Sequence, residues 1–319
     1  MSTEKTISDL TRQLLTARYL ANSSPSALRT WLAQSRTGRQ GQLDDGSGDL
    51  VRGGNVLAAT NTWKIAEHRA EQQIKAALKA GARIVSALDP EYPKLLAASP
   101  EDPLLLFVLG RLPAPGQPTT AVIGSRAATA HGLVISKRIT QYLVSNGHSI
   151  VSGLALGCDT EAHKAALDAN GHTVAVLGHG LQTLWPTENR DLASQILDSG
   201  GALVSQFDFG TPKAGKHFVR RDFTQAGLAQ RVVMVQSGLT GGSLHAPRAA
   251  LRYGRRVVVP YPTSADAACQ APTVEANLCL AEGPTEERLK LLQCKPQDLE
   301  RIDILRSKAD YPSLLRWTA

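Results

Sequence analysis

The amino-acid sequence predicts an α/β protein, a doubly wound, mostly parallel Rossmann-like sheet preceded by a small helical domain. Three observations carry that prediction. Short apolar runs of strand length recur with little alternation, as in Thr173 to Leu177 and Val257 to Val259, and such runs suit strands covered on both faces. Segments with helical spacing separate them, near 160–169, 188–199 and 241–253, as connections between parallel strands require. Residues 121–160 give the repeating unit in full: an apolar run, an amphipathic segment, a second apolar run, and a glycine-bearing turn after each run. Ligands bind where such strands end, at their carboxyl edge.

Taken in order, residues 3–34 carry helical patterns, with Ile7, Leu10, Leu14 and Leu15 in one and Leu28, Trp31 and Leu32 in the next. Residues 35–54 are rich in glycine and polar side chains and are expected to loop or stay mobile. Trp63 to Lys79 resumes a helix, stopped by Gly81. Together these form a predicted helical domain over 1–80. Strands are expected at Ile84 to Leu88 and Leu104 to Leu109, joined through the rigid turn DPEYP. Further strands are expected at Ala121 to Ile123, His148 to Val151, Thr173 to Leu177, Ala202 to Ser205, Val232 to Val235 and Val257 to Val259. The sheet domain is placed at 81–283. Regularity fades after Pro260, so 284–319 is expected to be a C-terminal tail with one helix, too short for a full winged-helix domain.

The net charge of +7 and basic isoelectric point favour an anionic partner. Four cysteines show neither a CxxC pair nor a regular framework, which fits a reduced cytoplasmic protein. No run has the length of a membrane span, and no histidine or cysteine spacing suggests a metal or other cofactor. Neither GxGxxG nor GxxxxGK[ST] is present, which argues against a dehydrogenase or a nucleoside-triphosphatase.

Several constellations remain. Gly124, Ser125 and Arg126 follow one strand and either combine a tight turn with a guanidinium able to grip a phosphate or, as the tripeptide alone favours, form a glycine turn with a solvated arginine. Gly153 and Gly157 follow the next, where they serve either a ligand or close packing. Asp159 and His163 fit an acid–base pair less well than a helix-terminus carboxylate and a packed imidazole, because no nucleophile stands nearby. Trp185 and Pro186 suit packing and base stacking equally. Lys213, Lys216, His217, Arg220 and Arg221, interleaved with Phe218 and Phe223, form the strongest basic segment, a pattern that fits a nucleic-acid backbone with unstacked bases or a solvated loop. Arg248, Arg252, Arg255 and Arg256 make a second cluster, and Gly241, Gly242 and Ser243 offer backbone donors to an anion or simply end a strand.

The ordered series GSRAATAHG, IVSGLALGCDTEAHKAAL, TVAVLGHGL, WPTENRDLA, GALVSQF, HFVRRDFTQAGLA and GGSLHAPRAALRYGRRVVVP resembles the DprA/Smf family of DNA-processing proteins. The resemblance covers about 84–283. It implies a non-catalytic protein that binds single-stranded DNA, delivers it to a RecA-type recombinase in natural transformation or recombination, and forms a homodimer. On those motifs the DNA contacts fall to Gly124, Ser125, Arg126, Gly153, Gly157, Arg220 and Arg221, to which the residues add Lys213, Lys216, Gly241, Gly242 and Ser243. Two positions depart from the family pattern. Asp222 stands where asparagine is usual and brings a negative charge to the expected groove, and His245-Ala246-Pro247 alters the start of the last helix. The alternative is a nucleotide hydrolase of the related phosphoribohydrolase group, whose PGGxGTxxE glutamate has no equivalent in SGLTGGSLHAPRAAL. A third reading is a diverged adaptor of the same fold.

Overall fold

The computed structural model describes residues 7–20, 27–30, 32 and 56–316, apart from the side chains of 56–61. The segment 35–54 lies outside the described residues. Helix α1 (Asp9–Arg18) is opened by Ser8, whose side chain accepts the Thr11 N–H, and α2 spans Val56–Lys79. The chain then continues through β1 (Arg83–Ser86), α3 (Lys94–Ala97), β2 (Leu105–Gly110), β3 (Thr119–Ile123), α4 (Ala130–Ser145) and β4 (Ser149–Ser152). Next come α5 (Cys158–Asp168), β5 (Thr173–Leu177), α6 (Arg190–Asp198), β6 (Ala202–Ser205), α7 (Gly215–Leu228) and β7 (Arg231–Met234). The last part holds α8 (His245–Arg252), β8 (Arg256–Pro260), α9 (Ser264–Ala268), α10 (Glu275–Glu282), α11 (Thr285–Leu292) and β9 (Ile302–Leu305).

Among the described residues nine strands form one sheet in the order β1-β2-β6-β5-β4-β3-β7-β8-β9. The seven from β6 to β9 run parallel, and β2 pairs antiparallel with both β1 and β6. Strand order therefore reverses at β3. The chain winds outward through β4, β5 and β6, then returns to place β7 on the other side of β3, with Ile123 opposite Met234. A ligand crevice is expected where the order reverses, beyond the carboxyl ends of β3 and β7.

The central strands bury almost every side chain, including Val122, Val151, Val174, Val204, Val232 and Val258. That is why they read as uninterrupted apolar runs. The helical start of the chain shares the same core, since Leu14, Leu15, Ala70 and Ile74 cluster with Leu106, Phe107 and Val204. The sheet also runs past residue 283. Within the stretch read as a tail, Ile302–Leu305 adds β9 alongside β8, with Val258 opposite Asp303. Arg256 and Asp303 pair across that edge, and the fully buried Arg231 donates to the carbonyls of Ser313 and Arg316. Pro247 is accommodated in α8 because it falls in the first turn, where its missing N–H would have had no helical acceptor. Among the described residues no helix is long and apolar enough to cross a membrane.

Candidate nucleic-acid interface

A cavity of about 530 Å³ opens at the reversal point. Its walls are the turn after β3 (Gly124, Ser125, Arg126), the turn after β7 (Ser237, Gly238, Gly241, Gly242, Ser243) and one side of α7. The β3 turn is fixed from both directions. Ser125 donates its backbone N–H to the Gln236 carbonyl at 2.8 Å, and its carbonyl accepts the Cys158 N–H at 3.2 Å. Its hydroxyl accepts the Ala127 N–H at 3.1 Å. On the β7 side, Asn277 is buried and holds the turn, donating to the carbonyls of Val235 and Pro260 and accepting the Ser237 N–H at 3.1 Å.

Cations and aromatic rings meet at the mouth. Arg126 is exposed, and its guanidinium lies 5.4 Å from the Trp185 ring and 5.5 Å from Phe218. Lys213 sets its ammonium 4.5 Å from the Trp185 ring, which is itself 5.4 Å from Phe218. These four residues come from three separate connections, and the sheet edge brings them together. The half-exposed Trp185 thus packs on Phe218 while staying open to a ligand. The N-terminus of α7 starts beside them at Gly215, which lines the cavity and has no side-chain cap. Its first-turn N–H groups and partial positive charge suit an anion.

The second glycine turn serves the fold. Asp159, in the first turn of α5, accepts the N–H of Gly153 at 3.1 Å and of Ala155 at 3.4 Å. A carboxylate of the protein itself therefore takes up the backbone donors of that glycine turn. Burial pushes the Asp159 carboxyl up, against the opposing charge of Arg221. Gly157 has φ of +78° and begins α5; a Cβ there would overlap the Ser125 carbonyl. Gly124 lies against Cys158 of the same helix. His163 is fully buried, hydrogen-bonded through Nδ1 to Thr173, and burial takes its pKa down to about 3. Asp159 and His163 accordingly serve to pin the glycine turn and to pack the core, not as an acid–base pair.

The two adjacent arginines part company. Arg221 is buried and donates through Nη1 to the carbonyls of Gly153 at 2.5 Å and Val176 at 3.1 Å. It bolts α7 to the ends of β4 and β5, and a Cβ on Gly153 would strike its guanidinium. Arg220, one helical step away, is exposed, as are Lys213 and Lys216. Arg221 also pairs through Nε with Asp222 at 3.0 Å. Burial raises the Asp222 carboxyl to about 7, although Arg221 opposes that rise. The expected full negative charge in the groove is thus partly neutralised. The second arginine cluster is spent within the fold. Arg248 donates to Leu291, Arg255 to Leu95 and Ala229, and Arg252 pairs with Glu101. Gln225 and Ser237 also line the cavity; they stand within HFVRRDFTQAGLA and SGLTGGSLHAPRAAL, but as small or uncharged polar side chains beside arginines and glycines they gave no signal of their own. Among the described residues no group of three or more His, Cys, Asp or Glu could hold a metal ion.

A doubly wound sheet with a cation- and aromatic-rimmed crevice at its reversal point defines a Rossmann-like protein. Comparison with known proteins makes the class narrower. Residues 83–280 match the family described as DNA recombination-mediator protein A, and the chain belongs to that family. It is 43% identical over 166 residues to Protein Smf of Escherichia coli, covering 52% of this chain and 44% of that protein. It is 37% identical over 172 residues to DNA processing protein DprA of Streptococcus pneumoniae, covering 54% and 60%. These matches span about half the length of the curated relatives. The X-ray structure of DNA processing protein A from Streptococcus pneumoniae superposes with a TM-score of 0.73 at 25% identity, over 97% of this chain and 99% of that one. DNA processing protein A from Helicobacter pylori, whose structure concerns its single-stranded DNA binding mode, shares the fold with a TM-score of 0.54 at 23% identity, over 63% and 88%.

Proposed function

We propose that the crevice binds single-stranded DNA without cleaving it, and that the protein protects such DNA and helps load a RecA-type recombinase in the cytoplasm, in natural transformation or recombination. The observation that carries this reading is the rim of Arg126, Lys213, Trp185 and Phe218 at the mouth of the cavity. Alternating cations and partly exposed aromatic faces suit phosphates and unstacked bases of a single strand, whereas a duplex hides its base faces. Arg126, Lys213, Lys216 and Arg220 would hold phosphates, helped by the N–H groups of Gly215, Gly242 and Ser243, while Gly241, whose own N–H bonds the Gly238 carbonyl, shapes the turn. Gly153 and Arg221 shape the site from beneath. Family membership supports the recombinase partner and the homodimer.

Fluorescence anisotropy of a labelled single-stranded oligonucleotide across a salt series tests the reading. Binding should exceed that of the matching duplex. The slope of log affinity against log salt should fall by roughly 1.4 in the double variant Arg126→Ala/Lys213→Ala, at about 0.7 for each phosphate that is no longer neutralised. Absence of binding at low salt, or an unchanged slope, refutes it. Recombinase loading is read separately, as faster RecA filament formation on strands coated with single-strand-binding protein. Unchanged kinetics would refute that part alone.

A further inference from the structure

One face of α7 forms an ordered stripe along the cavity. Phe218, Asp222 and Gln225 stand at i, i+4 and i+7, and all three line it. Burial increases along the stripe, from the half-buried Phe218 through Asp222, 15% exposed in its side chain, to Gln225 at 1%. The Gln225 amide nitrogen is buried without a hydrogen-bond partner. Buried polar groups are nearly always paired, so an orphan donor lining a cavity points to a partner that arrives with a ligand. A carboxylate can accept about four hydrogen bonds, and Asp222 meets Arg221 only as an ion pair at 3.0 Å, which leaves the Arg221 Nε without a hydrogen bond.

We propose that this stripe reads the base of one unstacked nucleotide and prefers guanine. The inference rests on the single-stranded DNA reading above and adds to it a base preference. The guanine Watson–Crick edge carries two adjacent donors, N1–H and N2–H, with the acceptor O6 beside them. Asp222 matches the two donors bidentately, Gln225 Nε2 matches O6, and Phe218 offers a face for the ring. Adenine and cytosine present a single exocyclic amine beside a ring acceptor. Thymine flanks its one donor with two carbonyls that repel a carboxylate. The cavity of about 530 Å³ falls within the usual range for small-molecule sites, about 300–1,000 Å³. The rim cations remain with the phosphates.

The test uses the full chain at pH 8, above the value of about 7 to which burial takes Asp222. Labelled oligothymidylate carrying one central guanosine is compared with the same strand carrying central adenosine, cytidine or thymidine. The guanosine strand should bind on the order of tenfold tighter than the thymidine strand, as expected of one good bidentate pair. That ratio should fall towards unity in Asp222→Asn and drop in Gln225→Met, each variant first shown to unfold cooperatively in urea. Equal binding of the four strands overturns the base preference and leaves single-strand binding standing. A guanine preference that survives Asp222→Asn also overturns it. Failure of every strand to bind overturns both.

Discussion

Replacing Arg221 by alanine should cost the fold heavily, while the same change at Arg220 should cost almost nothing. The Arg221 guanidinium makes two hydrogen bonds, one to a carbonyl in the turn after β4 and one to a carbonyl of β5, and pairs with Asp222. Hydrogen bonds from a charged donor contribute about 1.5–3 kcal/mol each. Removing one partner of a buried ion pair costs about 3–5 kcal/mol, because the remaining charge stays desolvated. Part of this is offset, since the burial cost of Arg221 itself disappears, so a loss of about 3–5 kcal/mol is expected in total. Arg220 is exposed, and its replacement should stay within about ±0.5 kcal/mol. Urea titrations followed by tryptophan fluorescence give both numbers. The loss at Arg221 should also grow with pH. Without the guanidinium, Asp159 and Asp222 lose the charge that opposes their burial. Both carboxyls then keep protons to higher pH than in the unfolded chain, so the native state is penalised as pH rises. A loss below about 1 kcal/mol at Arg221, or equal losses at the two arginines, would refute the division between anchor and surface cation.

Three further outcomes follow from the same geometry. Asp222 holds its proton up to about 7 in the fold against an ordinary value of 3.8, so wild-type stability should fall across that window as pH rises, with a limiting slope of about 1.4 kcal/mol per pH unit; in Asp222→Asn this contribution vanishes, and parallel stability–pH curves for the two proteins would contradict it. Trp185→Ala removes the half-exposed ring near Arg126 and Lys213 and should weaken single-strand affinity by about 1–3 kcal/mol; an unaltered dissociation constant would place base stacking elsewhere. Gly157→Ala forces a side chain onto a residue at φ +78° and against the Ser125 carbonyl. It should lower stability by about 1–3 kcal/mol and disturb the Arg126 turn, and a variant with the wild-type melting temperature and affinity would show that the turn yields freely.

Much of the architecture was legible because the central strands are buried on both faces and so announce themselves as apolar runs. Ile302–Leu305 escaped notice because it is a sheet edge. Its burial is only partial, and Asp303 within it breaks the apolar run. The N-terminal helices were recognisable as helices, but their fusion with the sheet core depends on long-range contacts that no local pattern records. At the site, the rim residues were legible by type and their convergence was not. Trp185 suits packing and stacking equally until β5 and α7 place it between two cations. Arg220 and Arg221 are chemically identical neighbours, and a rotation of one residue about the helix sends one into water and the other under the crevice. Gly153 looked like a ligand turn, since a glycine that admits a guanidinium from below leaves the same trace as one that admits a phosphate from above.

The anchoring of α7 by Arg221 has a consequence for how binding would proceed. The helix that carries Phe218, Asp222 and Gln225 cannot tilt or slide without surrendering its bonds to Gly153 and Val176. The receptor surface is therefore set when the chain folds. Any ordering at the moment of capture falls on the flexible strand and on the rim side chains, and the protein's own backbone contributes little of it. Differences in affinity among strands should then appear mainly in how long each one stays, while arrival rates remain alike.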